Sequence, residues 1–128
     1  MTSVEVPYSI ASALPTLTVL DITNEVRREL SGSGRDSGIA YVSPLHDVAL
    51  VRVQERESGF FCDLEDLLTR LVPQEEQERE RMLCMLLGPR TEQIPFADGQ
   101  LCLGRWQRIL LVDFAPPDEP RWNLTLLG

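Results

Sequence analysis

Lysine is absent from this chain of 128 residues, and all twelve basic residues are arginine. Its absence excludes Schiff-base chemistry on lysine and the lysine of a phosphate-binding P-loop. Histidine occurs once, at His46, which excludes a histidine-rich metal site. The three cysteines, Cys62, Cys84 and Cys102, are widely spaced and form no CxxC pair, so they predict neither a zinc knuckle nor a disulfide framework. We therefore expect no metal and no cofactor.

Long apolar runs and a leader sequence are also missing. No run approaches the roughly 20 apolar residues of a membrane helix, and the N-terminus lacks the basic start and apolar core of a secretory signal. Twenty acidic residues against twelve arginines give a net charge of −8, which disfavours nucleic acid and anionic membranes as partners. We expect a single cytoplasmic domain over residues 1–128 that binds neither nucleic acid nor membrane.

The first third of the chain predicts two strands followed by a helix. Residues 4–10 and 16–20 are apolar and β-branched, which is typical of short strands. Asp21 or Thr23 is suited to begin a helix, and the glycine-rich turn at residues 31–34 is suited to end it.

The middle of the chain predicts a hairpin, a helix and a buried strand. Residues 38–43 and 48–53 have strand composition, and the four residues between them favour a hairpin. Residues 60–71 predict the clearest helix of the chain, and residues 82–87 (MLCMLL) fit a buried strand. The apolar face of the helix is predicted to consist of Phe60, Leu64, Leu67, Leu68 and Leu71.

The last third of the chain predicts strands only. Asp98-Gly99 between two apolar segments is typical of a type I′ hairpin turn. Residues 101–114 predict one long strand or two strands joined at Gly104, and residues 122–127 predict a final strand. About eight strands with two helices indicate an α+β domain.

Residues 86–104 (LLGPRTEQIPFADGQLCLG), followed by Arg105-Trp106-Gln107-Arg108-Ile109, resemble the signature of the YjbQ family. The resemblance extends over about residues 5–128. It implies a YjbQ-like sandwich of short, mostly antiparallel strands with two main helices, assembled as a homotrimer. It also implies a secondary thiamine-phosphate synthase activity and a site rich in histidine and acid that holds a metal or an anion. The unbroken apolar run at residues 109–112 is a second reason to expect a homotrimer.

The site residues are where this sequence departs from the family. The family's histidine falls on Leu45, and its following hydroxyl pair falls on His46-Asp47. Its Asn-Glu-Asn segment falls on residues 53–55 (VQE). Arg79 and Arg81 stand at histidine positions, whereas Asp63 matches an acidic position of the family.

Eight residues are therefore the site candidates. The catalytic candidates are His46, Glu55 and Asp63, and the ligand-binding candidates are Gln54, Arg79, Arg81, Trp106 and Gln107. Arginine cannot ligate a metal, but its guanidinium can hold a phosphate bidentately. The alternatives are an exposed turn histidine, a solvated charged segment around Arg79 and Arg81, ordinary loop solvation for Gln54 and Glu55, and a tryptophan in the core or in a subunit interface.

Three functions are open at this point. The first is a binding or structural protein that has lost the family's metal site and holds a small phosphorylated anion. The second is a weak thiamine-phosphate synthase that uses Arg79, Arg81, Glu55 and Asp63 for the phosphates. The third is a non-catalytic partner of an intact paralogue.

Overall fold

Two antiparallel sheets organise the chain in a computed structural model, which describes residues 17–115 and 119–128. The described part contains seven strands and three helices, which confirms the α+β prediction. The predicted strand at residues 4–10 lies outside the described residues. In chain order the elements are β1 (Thr18–Asp21), α1 (Thr23–Ser33), β2 (Gly38–Pro44), β3 (Ala49–Glu55), α2 (Ser58–Leu71), α3 (Arg79–Leu87), β4 (Glu92–Ala97), β5 (Gln100–Leu101), β6 (Gln107–Asp113) and β7 (Trp122–Leu127).

The two sheets have the strand orders β1-β6-β3 and β5-β4-β2-β7. The predicted hairpin between residues 38–43 and 48–53 is therefore wrong, because β2 and β3 lie in different sheets. The Leu45 amide donates to the Arg121 carbonyl, continuing the pairing of β2 with β7, and the chain then crosses to the other sheet. β3 pairs instead with β6, from Ala49 opposite Asp113 to Glu55 opposite Gln107.

Strand β6 is the centre of the three-stranded sheet and is buried on both faces. Ile109 and Leu111 belong to the core between the two sheets, to which α1 also contributes. Leu110 and Val112 belong to the core under α2 and α3. Both faces of a central strand covered in this way are apolar, so the sequence shows a continuous run rather than alternation. The run at residues 109–112 is thus buried within one chain and does not support a homotrimer.

Helix α2 covers the three-stranded sheet, and only Leu64 and Leu68 of its predicted apolar face pack against the core. Its buried residues are Phe61, Glu65 and Leu68, whereas Phe60, Leu67 and Leu71 are exposed. Leucines lie on more than one side of this helix, so the apolar pattern alone does not select the face.

Helix α3 replaces the strand predicted at residues 82–87. A short apolar run fits a buried strand and a helix equally well. The helix begins at Arg79, within the polar residues that precede the apolar run. These polar residues extend the segment beyond the apolar run. Leu83 packs into the core, whereas Met82 and Met85 are exposed.

The turn at Asp98-Gly99 is confirmed. Both residues have positive φ, 54° and 72°, as a type I′ turn requires. Of the two alternatives for residues 101–114, two strands is the outcome: β5 ends at Leu101, and β6 begins at Gln107 in the other sheet.

A buried polar cluster joins β1, α1 and the start of β6. Asp21 Oδ2 accepts hydrogen bonds from Arg56 at 2.6 Å and from Arg108 at 2.8 Å. Asp21 Oδ1 accepts from the Thr23 amide and hydroxyl, at 3.0 and 2.6 Å. Thr23 Oγ1 in turn accepts from the Ile109 amide at 2.8 Å. One carboxylate therefore holds two strands and the beginning of a helix together.

We predict that Asp21→Ala lowers the free energy of unfolding by about 3 kcal/mol, because two mostly buried arginines lose their shared acceptor. Urea unfolding at 25 °C measures the change. The matched control is Glu78→Ala, which removes an exposed partner of Arg81 and should cost less than about 1 kcal/mol. Equal effects of the two substitutions would contradict this assignment.

Candidate functional site

The single histidine is paired with a buried carboxylate. His46 Nδ1 lies 3.0 and 2.9 Å from the two carboxylate oxygens of Asp113. Asp113 is 3% exposed, whereas the His46 side chain is 33% exposed. A carboxylate only accepts hydrogen bonds, so Nδ1 carries the proton in this contact. Nε2 has no hydrogen-bond partner among the described residues, and it is the nitrogen left for a ligand.

Strand pairing brings these two residues together. Asp113 is the last residue of β6, opposite Ala49 at the beginning of β3. The Phe114 amide donates to the Val48 carbonyl at 3.0 Å and continues this contact past the strand ends. His46 lies just before β3 and therefore sits beside Asp113. Asp113 Oδ1 also accepts from the Ala115 amide at 2.9 Å, which fixes the carboxylate.

His46 lines a cleft of about 640 Å³ between this strand end and α3. Arg90 holds the wall of the cleft, since its guanidinium donates to the backbone carbonyls of His46 and Ala49. The residues around the cleft are His46, Asp47, Val48, Arg81, Cys84, Met85, Gly88 and Arg90.

Charges of both signs surround the cleft. Arg90 has no carboxylate partner among the described residues, and two of its five N–H donors are used in the backbone contacts. Arg81 is 77% exposed and pairs with Glu78 at 2.9 Å. Asp47 is an exposed carboxylate at the rim, and Asp113 lies beneath the imidazole. The cleft therefore offers free guanidinium donors without a strong net charge.

Cys84 contributes a thiol rather than a thiolate. Burial raises the pKa of Cys84, and the nearby Asp113 carboxylate raises this pKa further, while the Arg90 guanidinium lowers it. Burial is the largest of these effects, so the thiol form dominates at neutral pH. A nucleophilic role would require the thiolate.

The structure brings together two of the eight predicted site residues, His46 and Arg81. Arg79 does not line the cleft: it is 3% exposed, and its Nε donates to the Val72 carbonyl at 2.8 Å. Asp47, which the sequence places beside His46, is not its hydrogen-bond partner. Asp63 is exposed on α2.

The other four candidates lie towards the opposite end of β3. Glu55 is paired with Gln107, and Gln54 with Arg108. At about 3.3 Å per residue, the six steps from Ala49 to Glu55 span roughly 20 Å. Gln107 accepts from the Gly104 amide at 2.6 Å. Trp106 is 64% exposed, and the Arg105 guanidinium lies 5.0 Å from its ring centroid.

Two residues of the site were not predicted. Asp113 carries a recognisable signal, because a carboxylate directly after the apolar run at residues 109–112 needs a buried partner. Arg90 carries no such signal, since its role depends on backbone carbonyls that only the fold brings near.

This chain is similar in sequence and in fold to known proteins. Residues 12–128 match the family described as UPF0047 protein YjbQ-like. A UPF0047 protein of Mycobacterium tuberculosis is 31% identical over 118 residues, covering 84% of this chain and 86% of the relative. A UPF0047 protein of Archaeoglobus fulgidus is 32% identical over 112 residues, covering 80% of this chain and 86% of the relative.

Solved structures show the same fold. The crystal structure of a hypothetical protein from Aeropyrum pernix K1 has a TM-score of 0.76 and 32% identity, and it covers 88% of this chain and 90% of that one. An uncharacterized conserved protein of the yjbq/upf0047 family from Clostridium acetobutylicum has a TM-score of 0.78 and 24% identity, and it covers 87% of this chain and 92% of that one. The second likeness is one of fold alone.

Two features are absent from the part of the chain that the structure describes. None of the helices there is long and apolar enough to cross a membrane. No three side chains of His, Cys, Asp or Glu come together there in a way that could hold a metal ion.

We predict that Cys84 reacts with iodoacetamide several-fold more slowly than the exposed Cys62 and Cys102 at pH 7.5. The raised pKa of Cys84 leaves less thiolate, and raising the pH should narrow the difference. Mass spectrometry of timed samples measures the three rates. Fast modification of Cys84 would contradict the thiol assignment.

Proposed function

The chain belongs to the UPF0047 family of YjbQ-like proteins, and we propose that within this family it is a binding protein for a small phosphate-like oxyanion. The observation that carries the proposal is the His46–Asp113 pair at the cleft. The carboxylate orients the imidazole, so that Nε2 is left for a ligand. In the neutral ring Nε2 accepts from the hydroxyl of hydrogen phosphate, and in the imidazolium it donates to a phosphate oxygen. Holding this group in one geometry lowers the cost of ordering it on binding.

Arg90 supplies the donors that favour an oxyanion. Its contacts with His46 and Ala49 immobilise the guanidinium and leave three of its five N–H groups for a ligand. A guanidinium that is already fixed loses little freedom when it binds phosphate, and its planar fork matches two phosphate oxygens.

Arg81 supplies a second, exchangeable cation. Its pair with Glu78 is exposed, and pairs of this kind contribute about 0–1 kcal/mol. A bound oxyanion can therefore replace Glu78 at little cost. Asp47 opposes binding, which limits the expected affinity to the millimolar range.

We predict that phosphate stabilises the protein and that the cleft arginines are required. A Kd of about 1 mM gives about 1.4 kcal/mol of stabilisation at 10 mM phosphate, because binding adds RT ln(1 + [L]/Kd). For a domain of this size the melting temperature should rise by roughly 4–6 °C. Differential scanning fluorimetry against potassium chloride of equal ionic strength measures the shift.

The variants assign the shift to the cleft. The double variant R81Q/R90K should lose most of the response, whereas R105Q, which removes an exposed cation at the turn before β6, should keep it. The absence of a response in the wild-type protein, or a response that both variants keep, would refute an anion site at His46.

The family's secondary thiamine-phosphate synthase activity is the alternative proposal. Its only support is the resemblance, because Glu55, Asp63, Arg79 and Arg81 do not share a cleft within one chain. Formation of thiamine phosphate from the pyrimidine diphosphate and thiazole phosphate, lost in His46→Gln, would favour it. A role as non-catalytic partner of an intact paralogue predicts that the two chains co-purify.

We also propose a homotrimer in a reducing, cytoplasmic setting. Ile39 and Leu127 are paired across β2 and β7 and are both exposed, which supports association through the outer face of the four-stranded sheet. The three cysteines are free thiols, as is usual in the cytoplasm.

We predict a trimer mass by light scattering for the wild-type protein and a monomer mass for Ile39→Glu. Met85→Glu, which places the same charge at an exposed apolar position on α3, should leave the mass unchanged. A wild-type monomer at micromolar concentration would contradict the trimer.

A further inference from the structure

A second cavity, of about 240 Å³, lies between α2 and strands β3 and β6. It shares no lining residue with the His46 cleft. Apolar side chains make up most of its wall, and the polar groups come from β3. Its lining includes Leu50, Phe60, Leu64 and Leu110, together with Arg52 and Gln54.

Arg52 has donors to spare at this cavity. Its Nη1 donates to the carbonyls of Pro89, at 2.9 Å, and Val51, at 3.4 Å, and its Nη2 donates to the Leu87 carbonyl. These three acceptors at the end of α3 and on β3 leave two of the five N–H groups unused. They also hold the guanidinium in place, so that a ligand need not order it.

No carboxylate competes for those donors within the cavity. Arg52 is the only charged residue of the lining, and it forms no ion pair with the described residues. The side-chain amide of Gln54, two residues along β3, has no hydrogen-bond partner among the described residues either. The half-buried guanidinium and the side-chain amide therefore have unused hydrogen-bond donors beside apolar walls. An acceptor group of a ligand would take these donors.

The volume limits the size of that ligand. At about 30 Å³ for each water-sized unit, 240 Å³ corresponds to about eight non-hydrogen atoms. We propose that this cavity binds a small carboxylic acid with a compact apolar tail, whose carboxylate takes the unused Arg52 donors and whose tail lies between Phe60, Leu64 and Leu110. The site is separate from the oxyanion cleft, so this proposal does not depend on the proposed function.

The test compares hexanoate with hexanamide, which has the same tail and eight non-hydrogen atoms but no charge. Each is titrated into the full ¹⁵N-labelled chain, and amide shifts are followed. Hexanoate should give saturable shifts at residues 52–54 and 60–64, and hexanamide should bind at least roughly tenfold more weakly, since a charged acceptor strengthens the contacts to arginine.

Three variants make the assignment specific. Arg52→Lys keeps the charge but loses the fork, and it should weaken hexanoate binding roughly tenfold. Leu64→Phe fills the cavity without touching Arg52, and it should abolish binding while the spectrum stays dispersed. Arg105→Gln removes an exposed cation that does not line the cavity and should change nothing. The proposal is overturned by equal affinity for the two probes, by no saturable shift with hexanoate, by unchanged binding to Leu64→Phe, or by shifts confined to the residues around His46 and Arg90.

Discussion

Strand β6 is buried on both faces, and this burial determines what its centre and its two ends must contact. Its centre needs no polar partner, because every side chain from residue 109 to 112 packs into one of two cores. Its ends do need partners. Arg108 at one end binds Asp21, and Asp113 at the other end binds His46. Buried charges are tolerated only when they are paired, so both ends of the strand specify their neighbours.

The candidate site follows from that requirement. A carboxylate buried at the end of β6 draws the histidine that precedes β3 into a fixed orientation, and the same strand end opens onto the cleft beside α3. Arg90, which lines this cleft, donates a hydrogen bond to the backbone carbonyl of Ala49. The hydrogen bond between His46 and Asp113 gives the buried carboxylate its partner. The same hydrogen bond leaves Nε2 of the imidazole for a ligand. The buried carboxylate thus also organises the candidate site.

The parts of the fold that sequence predicts are those specified by local chemistry. The Asp98-Gly99 turn requires two residues with positive φ, and the helix α1 ends at Gly34, whose φ of 72° is left-handed. The incorrect predictions concern elements specified by distant contacts. β2 and β3 resemble a hairpin because they are adjacent in sequence. In the structure β2 pairs with β4 and β7, and β3 pairs with β6, all of which lie farther along the chain. Helix α3 looks like a strand because its apolar run is too short to show a period.

The candidate site divides in the same way. His46 and Arg81 could be identified by residue type and by the family resemblance, but Asp113 is 67 residues from His46 and reaches it only through strand register. The resemblance also assigns Arg79 and Arg81 to equivalent histidine positions, yet two residues along a helix are about 200° apart and cannot face the same way. Arg79 turns into the core and binds the Val72 carbonyl, while Arg81 reaches the cleft. The second cation of the cleft is Arg90, which lies within the signature segment at residues 86–104 but at neither of the two histidine positions.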